Sequence, residues 1–404
     1  MTSVPNPIEF DSQVFSLAFH PTEDIVASGL IEGDVHCHRY ALDSPAVALW
    51  SSKTHKESCR ALSFGVDGAA LFSGSKDKSL QVIDVETGKV MLKKPKAHSE
   101  PLNALLALNA QLLASGDDGG CIKIWDTRQR KVAMKYHENV DFISDLTFVE
   151  HKKTLLATSG DGCLTVMDIR KSKPVAVSAN QDDELLCVQV VRNTTKAVVG
   201  TQDGTLLLFS WGDWGDCTDR FPGHPSSVDS MVKVEDATVM TASGDGIIRA
   251  IGILPNRLVG AVGEHGDMPI ESIRLSRDGE LVGSCSHDAT VRFWSVAEAL
   301  KEDEDEEEED AEQAEEDAEQ GEDEENNDHP ANEDSDDDAP ESDNEDAAGT
   351  SSGKRKPASE SDANSSDSDA PEKKEKARKK KSKKAKRGIG GGKKANAAFF
   401  ADID

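Results

Sequence analysis

SGDDGGCIKIWD (115–126) sets small and hydroxyl residues before an acidic, glycine-rich turn, and follows the turn with alternating apolar residues. Six other segments have the same plan: SGLIEGDVHCHR (28–39), SGSKDKSLQVID (73–84), ATSGDGCLTVMD (157–168), VGTQDGTLLLFS (199–210), TASGDGIIRAIG (241–252) and SCSHDATVRFWS (284–295). Anchored on their fifth residues, Glu32, Asp77, Gly119, Asp161, Asp203, Asp245 and Asp288, they stand 45, 42, 42, 42, 42 and 43 residues apart. A fixed period of this length marks a repeat architecture, so the repeat overrides the prior of about two domains set by chain length.

Thirteen residues before each anchor lies an apolar position: Phe19, Phe64, Leu106, Phe148, Val190, Val232 and Leu275. The stretches leading there, such as VFSLAF (14–19) and CRALSF (59–64), read as buried strands; a second strand precedes the turn and a third alternates after it. Asp-Gly, Gly-Asp and Lys-Asp suit a tight hairpin, whose residues must tolerate positive φ. Three to four short strands per unit, with no sustained helical period, predict a radial all-β array rather than a sandwich or a βαβ series.

With Trp125–Asp126 intact and His recurring upstream at Thr54–His55, Ala97–His98, Gly223–His224 and Glu264–His265, residues 8–296 resemble the WD-repeat β-propellers. The resemblance implies seven four-stranded blades. The last unit has three strands of its own, so NPIEF (6–10) is the expected fourth, closing the ring and leaving only short edges. It also implies that a blade's His, hydroxyl, turn Asp and Trp form a hydrogen-bonded network. His265, Ser284, Asp288 and Trp294 match fully; His98, Ser115 and Trp125 are expected in the same kind of network, but Gly119 stands at the Asp position, which leaves that set without its expected carboxylate. A network repeated from blade to blade explains these residues better than a single hydrolase triad does.

The formal charge is −30, unevenly spread: residues 1–300 carry a net −11 and residues 301–404 a net −19. Within 302–346, 28 of 45 residues are acidic and none is basic, a composition that cannot bury enough apolar surface to offset chain entropy. The expected organisation is a propeller over 1–300, a disordered acidic segment over 301–350, and a disordered Ser-rich then Lys-rich tail over 351–404. The start, MTSVPNPIEFDSQ, shows no basic and apolar leader, no apolar run approaches the roughly 20 residues that span a bilayer, and the seven cysteines are odd in number without a CxxC pair. These features predict a soluble intracellular protein with no membrane role.

Enzymatic motifs are missing. GIGGGKK (388–394) lacks the first Gly and the final Ser/Thr of a phosphate loop, and His36–Cys37–His38 has no second ligand pair at metal spacing. The expectation is a non-catalytic binding protein with no cofactor, metal or small-molecule substrate. Three features suggest partners. Just before the first strands stand Asp11, Glu57, Glu100, Asp141, Asp183–Glu184 and Asp267, in six of seven blades; only HPSSV (224–228) lacks a carboxylate. Such an acidic rim would attract Lys/Arg-rich partners. Trp125-Asp126-Thr127-Arg128, with a degraded copy ending at Arg170, resembles the box by which some WD-repeat proteins dock on the adaptor of cullin–RING ubiquitin ligases. Lys376, Arg378, Lys379, Lys380, Lys381, Lys383, Lys384, Lys386 and Arg387 form a nuclear or nucleolar targeting pattern that could also touch RNA phosphates non-specifically.

Ser335, Ser342, Ser359 and Ser366 each have an acidic residue three positions on, resembling acidophilic kinase sites, and AAFFADID (397–404) interrupts the polar tail with two aromatics. The propeller beginning NPIEFDSQVFSLAFHP, the acidic run, the lysine block and the terminal FFADI together resemble the WD repeat-containing protein 55 family. That resemblance implies a nucleolar scaffold of ribosome biogenesis and pre-rRNA processing that binds pre-ribosomal or other basic nuclear proteins. The alternatives are a cullin–RING substrate receptor and an acidic chaperone for basic ribosomal proteins or histones.

Overall fold

The computed structural model describes residues 4–129 and 131–300, so the tail segments and their targeting and phosphorylation sites lie outside the described residues. Among the described residues are seven four-stranded antiparallel sheets, each a meander in chain order except the last. Blade one runs Val14–Phe19, Ile25–Leu30, Asp34–Ala41 and Ser44–Lys53; blade two begins at Cys59–Phe64, blade three at Leu102–Asn109, blade four at Ile143–Val149, blade five at Leu185–Val191 and blade six at Val228–Lys233. Blade seven takes Ile270–Leu275, Leu281–Ser286 and Thr290–Ser295 from the C-terminal side and Ile8–Glu9 from the N-terminal side, with Ile8 opposite Val291 and Glu9 opposite Thr290. First strands of successive blades pack against one another, including the first against the last, so the sheets close into a ring. The chain is a seven-bladed all-β propeller.

Burial follows radial position. Second strands lie between neighbouring blades on both faces, so IVASGL (25–30), TVMTAS (238–243) and LVGSCS (281–286) are buried throughout and read as unbroken small or apolar runs. Outer strands alternate or face solvent, as in Ser44–Lys53. The core is correspondingly split into clusters between blades; one joins Ile122, Ile124 and Tyr136 of blade three to Ile143, Leu155 and Met167 of blade four. Gly116 belongs to this seam because a Cβ there would lie 2.6 Å from the Ile143 side chain. The turn between second and third strands takes a left-handed residue in every blade: Gly33 at φ 89° has equivalents in Gly120, Gly162, Gly204 and Gly246, but also in Lys78 (67°) and Ala289 (62°).

One irregularity recurs. The register of first against second strand shifts at the same place in all seven blades, between Val14 and Ser16, Cys59 and Ala61, Leu102 and Ala104, and so on round to Ile270 and Ser272. A β-bulge leaves one residue unpaired and re-aims its side chain. The seven bulged residues, Phe15, Arg60, Asn103, Ser144, Leu186, Asp229 and Glu271, all line the central channel.

A candidate protein-interaction face

In an antiparallel meander the loops into the first strands and the turns between second and third strands share one face, here called the top. The loops leaving the first and third strands share the other, the bottom. The acidic residues read from the sequence all fall in top-face loops. Asp11, Glu57, Glu100, Asp141, Glu184 and Asp267 are exposed, while Asp183 is half-buried and accepts the backbone N–H of Asp203 (3.0 Å) and of Glu184 (2.8 Å). The rim is less uniform than expected. Lys78 reaches Glu100 at 3.1 Å, and Lys56 and Lys76 stand exposed on the same sector, so the acidic character is strongest on the other blades. Apolar side chains stand beside the acids: Val140 is 85% exposed next to Asp141, and Met268 is exposed next to Asp267.

The channel mouth adds carboxylates that the rim reading missed. Phe15, Arg60, Asn103, Asp118, Asp141, Phe142 and Glu271 line a cavity of about 510 Å³, and Asp229 lines the channel just inside. One nitrogen of Arg60, Nη1, donates to both carboxylate oxygens of Asp118 (3.1 and 2.9 Å), which cancels one positive and one negative charge. Deeper, burial raises the pKa of Asp145, opposed by the charge of Arg274. Asp229 has no Lys or Arg ion pair among the described residues, and the opposing charge near it is that of His287. Burial pushes its carboxyl up to about 6, and the neighbouring Glu271 carboxylate adds to the rise against the Ser227 hydrogen bond. Glu271 is met by His287 at 2.6 Å. Blade six, which lacked a rim carboxylate in the sequence reading, thus supplies one a residue later, on its bulge. The second position of each first strand holds Phe15, Arg60, Asn103, Ser144, Leu186, Asp229 and Glu271, a mixture that sequence alone does not set apart from other variable positions of the repeat.

Behind this face, buried side-chain networks tie the top loops to the blades. In blade seven, Trp294 donates its indole N–H to Ser284 Oγ (2.8 Å), Ser284 meets His265 Nε2 (2.7 Å), and His265 Nδ1 meets Asp288 (2.8 Å). Blade three corrects the sequence expectation. Its set is complete because Asp117, two residues before Gly119, takes the carboxylate's place: Trp125 to Ser115 is 2.7 Å, Ser115 to His98 Nε2 is 2.7 Å, and His98 Nδ1 to Asp117 is 2.7 Å. Asp117 Oδ1 also accepts the N–H groups of Gly119 and Cys121, the turn bonds that Asp288 Oδ1 makes with Thr290 in blade seven. A carboxylate can reach the same histidine from either position, which a spacing rule cannot detect. In blade four Asn139 stands where other blades have His and bonds both Asp161 and Thr165. In blade six His224 keeps only Thr241 (2.8 Å), because Arg249 holds Asp245 in a two-pronged pair (3.1 and 2.7 Å).

These histidines are built to be neutral. For His98 and His265, with Nδ1–H donated to the carboxylate, Nε2 must accept the serine O–H, and protonating it would set two donors against each other. Burial lowers the pKa of His98 and His265, in each case against the opposing pull of its Asp, and brings His224 down to about 4, helped by the Arg249 charge. The unfolded chain binds these protons near pH 6.5 and the native state does not, so stability falls as pH drops below that value. For His224 the full loss is roughly 3 kcal/mol by pH 4. The thermal midpoint should therefore decline between pH 7 and 5, and His224→Gln should flatten part of that decline. Asp229 works in the opposite sense, gaining stability as pH falls through 6, so the comparison is best repeated in an Asp229→Asn background.

The remaining sequence candidates are placed as follows. His36 and His38 stack at 6.2 Å on one strand face, with Cys37 on the other, where burial pushes its thiol up to about 12. Among the described residues, the group of potential ligands close enough to share an ion is His98, Asp117 and Cys121, and both His98 nitrogens are already engaged in the blade network. Arg128 and Arg170 lie on the bottom face at matched positions of blades three and four. Each folds back on its own aspartate, Arg128 on Asp126 (3.0 Å) and Arg170 on Asp168 (2.8 Å), with side chains 57% and 67% exposed.

The WDR55 family matches residues 5–299. The chain belongs to the WD repeat-containing protein 55 family. It is 42% identical over 295 residues to WD repeat-containing protein 55 of Arabidopsis thaliana, covering 73% of this chain and 83% of that relative. It is 39% identical over 295 residues to the Homo sapiens protein of the same name, covering 73% and 77%. A WD repeat-containing protein JIP5 from Coprinopsis cinerea is 38% identical over 314 residues, covering 74% and 77%. As a member of the WD repeat-containing protein 55 family with a complete propeller, the chain is a protein-interaction scaffold.

Proposed function

We propose that the protein is a non-catalytic nucleolar scaffold of ribosome biogenesis and pre-rRNA processing that holds basic nuclear proteins, pre-ribosomal proteins among them, on the top face of its propeller. The observation that carries this reading is the channel mouth, where Asp229 and Glu271 lie near each other without a Lys or Arg ion pair among the described residues, beneath a rim of exposed carboxylates. Burial first and then the Glu271 charge raise the cost of ionising Asp229, and a cation from a partner relieves it. Val140 and Met268 supply apolar contact beside those acids. The lysine block then serves delivery and RNA contact. Removing 373–394 should disperse the protein from the nucleolus and flatten the salt dependence of its RNA binding; a truncated chain that stays nucleolar and binds RNA as before would defeat that role.

The bottom face favours a second reading, a receptor for a cullin–RING adaptor, because Arg128 and Arg170 present two exposed guanidinium groups in equivalent places on adjacent blades. An Arg128→Ala/Arg170→Ala chain should lose co-purifying adaptor while its thermal midpoint holds. Equal adaptor recovery with the double variant removes this reading.

A further inference from the structure

The bottom face between blades one and seven encloses a cavity of about 760 Å³. Tyr40, Leu42, Leu281, Val296 and Leu300 form its apolar walls, and Asp24, Arg277, Asp278 and Glu280 stand about it. Two features suit it to an occupant. Leu42 is 55% exposed at the tip of the hairpin between Asp34–Ala41 and Ser44–Lys53. Tyr40 is only 5% exposed, its ring packed on Phe19 and Phe293, yet its hydroxyl is buried without a hydrogen-bond partner among the described residues. Native structures seldom leave such a donor unsatisfied.

The chain itself carries a matching segment. Past Leu300 its 104 residues include no Leu, Val, Met, Trp or Tyr, and the only large apolar side chains are Ile389, Phe399, Phe400 and Ile403. Three of these four fall within AAFFADID (397–404). Leu300, from which this stretch departs, is itself part of the cavity wall. A flexible tether of about 98 residues would have a root-mean-square span of roughly 50–60 Å, which would keep a segment at its end at a local concentration on the order of a millimolar near its origin. A short aromatic segment of weak intrinsic affinity is therefore enough in cis, where a free peptide would need that concentration in solution.

We infer that this cavity is the docking site of the chain's own segment 397–404, with Phe399 and Phe400 on its apolar walls and an acceptor of the segment on the Tyr40 hydroxyl. Backbone carbonyls and the Asp402 carboxylate are the available acceptors, and Arg277, 2.8 Å from Asp24, is the cation at hand for the carboxylate. The site is on the opposite face from the carboxylate mouth, so it does not depend on the function proposed above.

The test titrates a fluorescent peptide of sequence NAAFFADID into three full-length chains: wild type, Phe399→Ser/Phe400→Ser, and that double variant with Leu42→Glu. The double variant, its cavity vacated, should bind the peptide at least tenfold more tightly than wild type, and Leu42→Glu should abolish the binding. Ala297→Lys, also at the exposed cavity edge, repeats the blocking test should Leu42→Glu lower the thermal midpoint. Absence of binding to all chains, equal binding to wild type and the double variant, or indifference to both blocking changes would each overturn the inference. So would concentration-dependent self-association of wild type that the double variant lacks, which would place the segment on a second copy.

Discussion

Trp125→Ala should lower the thermal unfolding midpoint by roughly 10 °C, the largest stability effect expected of a single substitution here. Trp125 is 1% exposed and packs with Leu105 and Leu113, so its removal leaves a cavity costing about 3–5 kcal/mol, and each kcal/mol shifts the midpoint of a domain of this size by about 2–4 °C. It also takes the indole N–H from Ser115 Oγ, the middle link to His98 and Asp117. Trp125→Phe separates the two contributions, since it keeps most of the packing and loses only the hydrogen bond, worth about 1 kcal/mol. The equivalent Trp294 is only half-buried, so Trp294→Ala should cost less. Scanning calorimetry of the full chain measures all three; a Trp125→Ala midpoint equal to wild type would mean that the blade network does not hold the propeller.

The second large effect concerns binding. Asp229→Asn with Glu271→Gln should weaken capture of basic partners at least tenfold while leaving the thermal midpoint unchanged or slightly higher. The stability half follows from the site itself. The Asp229 carboxyl already resists ionisation, through burial first and then the nearby Glu271 charge, so a neutral amide of the same shape removes a strain rather than a support. The binding half follows from charge: both residues stand where a partner's Lys or Arg would be drawn into the channel, and among the described residues neither makes an ion pair with Lys or Arg, His287 being the side chain that meets Glu271. Glu100, whose charge Lys78 already meets, is the control. Glu100→Gln should change binding little, and wild-type binding should fall as salt is raised, with the double variant losing most of that dependence. Equal affinity of wild type and double variant would put the partner elsewhere.

The fold was legible because its signal is repeated. A period near 42 residues, turn residues at fixed offsets and apolar alternation all specify the same meander, and the missing fourth strand of blade seven could be assigned to NPIEF, where Ile8 and Glu9 pair. Two things were not legible. Asp117 could not be recognised as blade three's carboxylate, because the network constrains where an oxygen arrives and not which residue carries it. The channel ring was hidden because its side chains are aimed by bulges, and a bulge depends on how two strands pair. Asp229 and Glu271 therefore look like ordinary alternating strand residues until the register of Val228 against Ser243 and of Ile270 against Ser286 is known. The rim carboxylates were found by position alone, and their partners were not: Lys78 on Glu100 arises from a hairpin in the neighbouring blade.

Lysines stand on both faces, which makes chemical cross-linking the most direct test of the account. Lys56, Lys76 and Lys78 lie on the top, and Lys152, Lys153 and Lys171 on the bottom. The protein would be purified with its partners from nuclear extract at moderate salt after RNase treatment, then cross-linked at lysine and mapped by mass spectrometry. Cross-links from basic, pre-ribosomal proteins should fall on Lys56, Lys76 and Lys78 and should disappear in the Asp229→Asn/Glu271→Gln chain. Cross-links confined to Lys152, Lys153 and Lys171, and unaffected by that double substitution, would contradict the assignment of the top face as the surface that holds the partner.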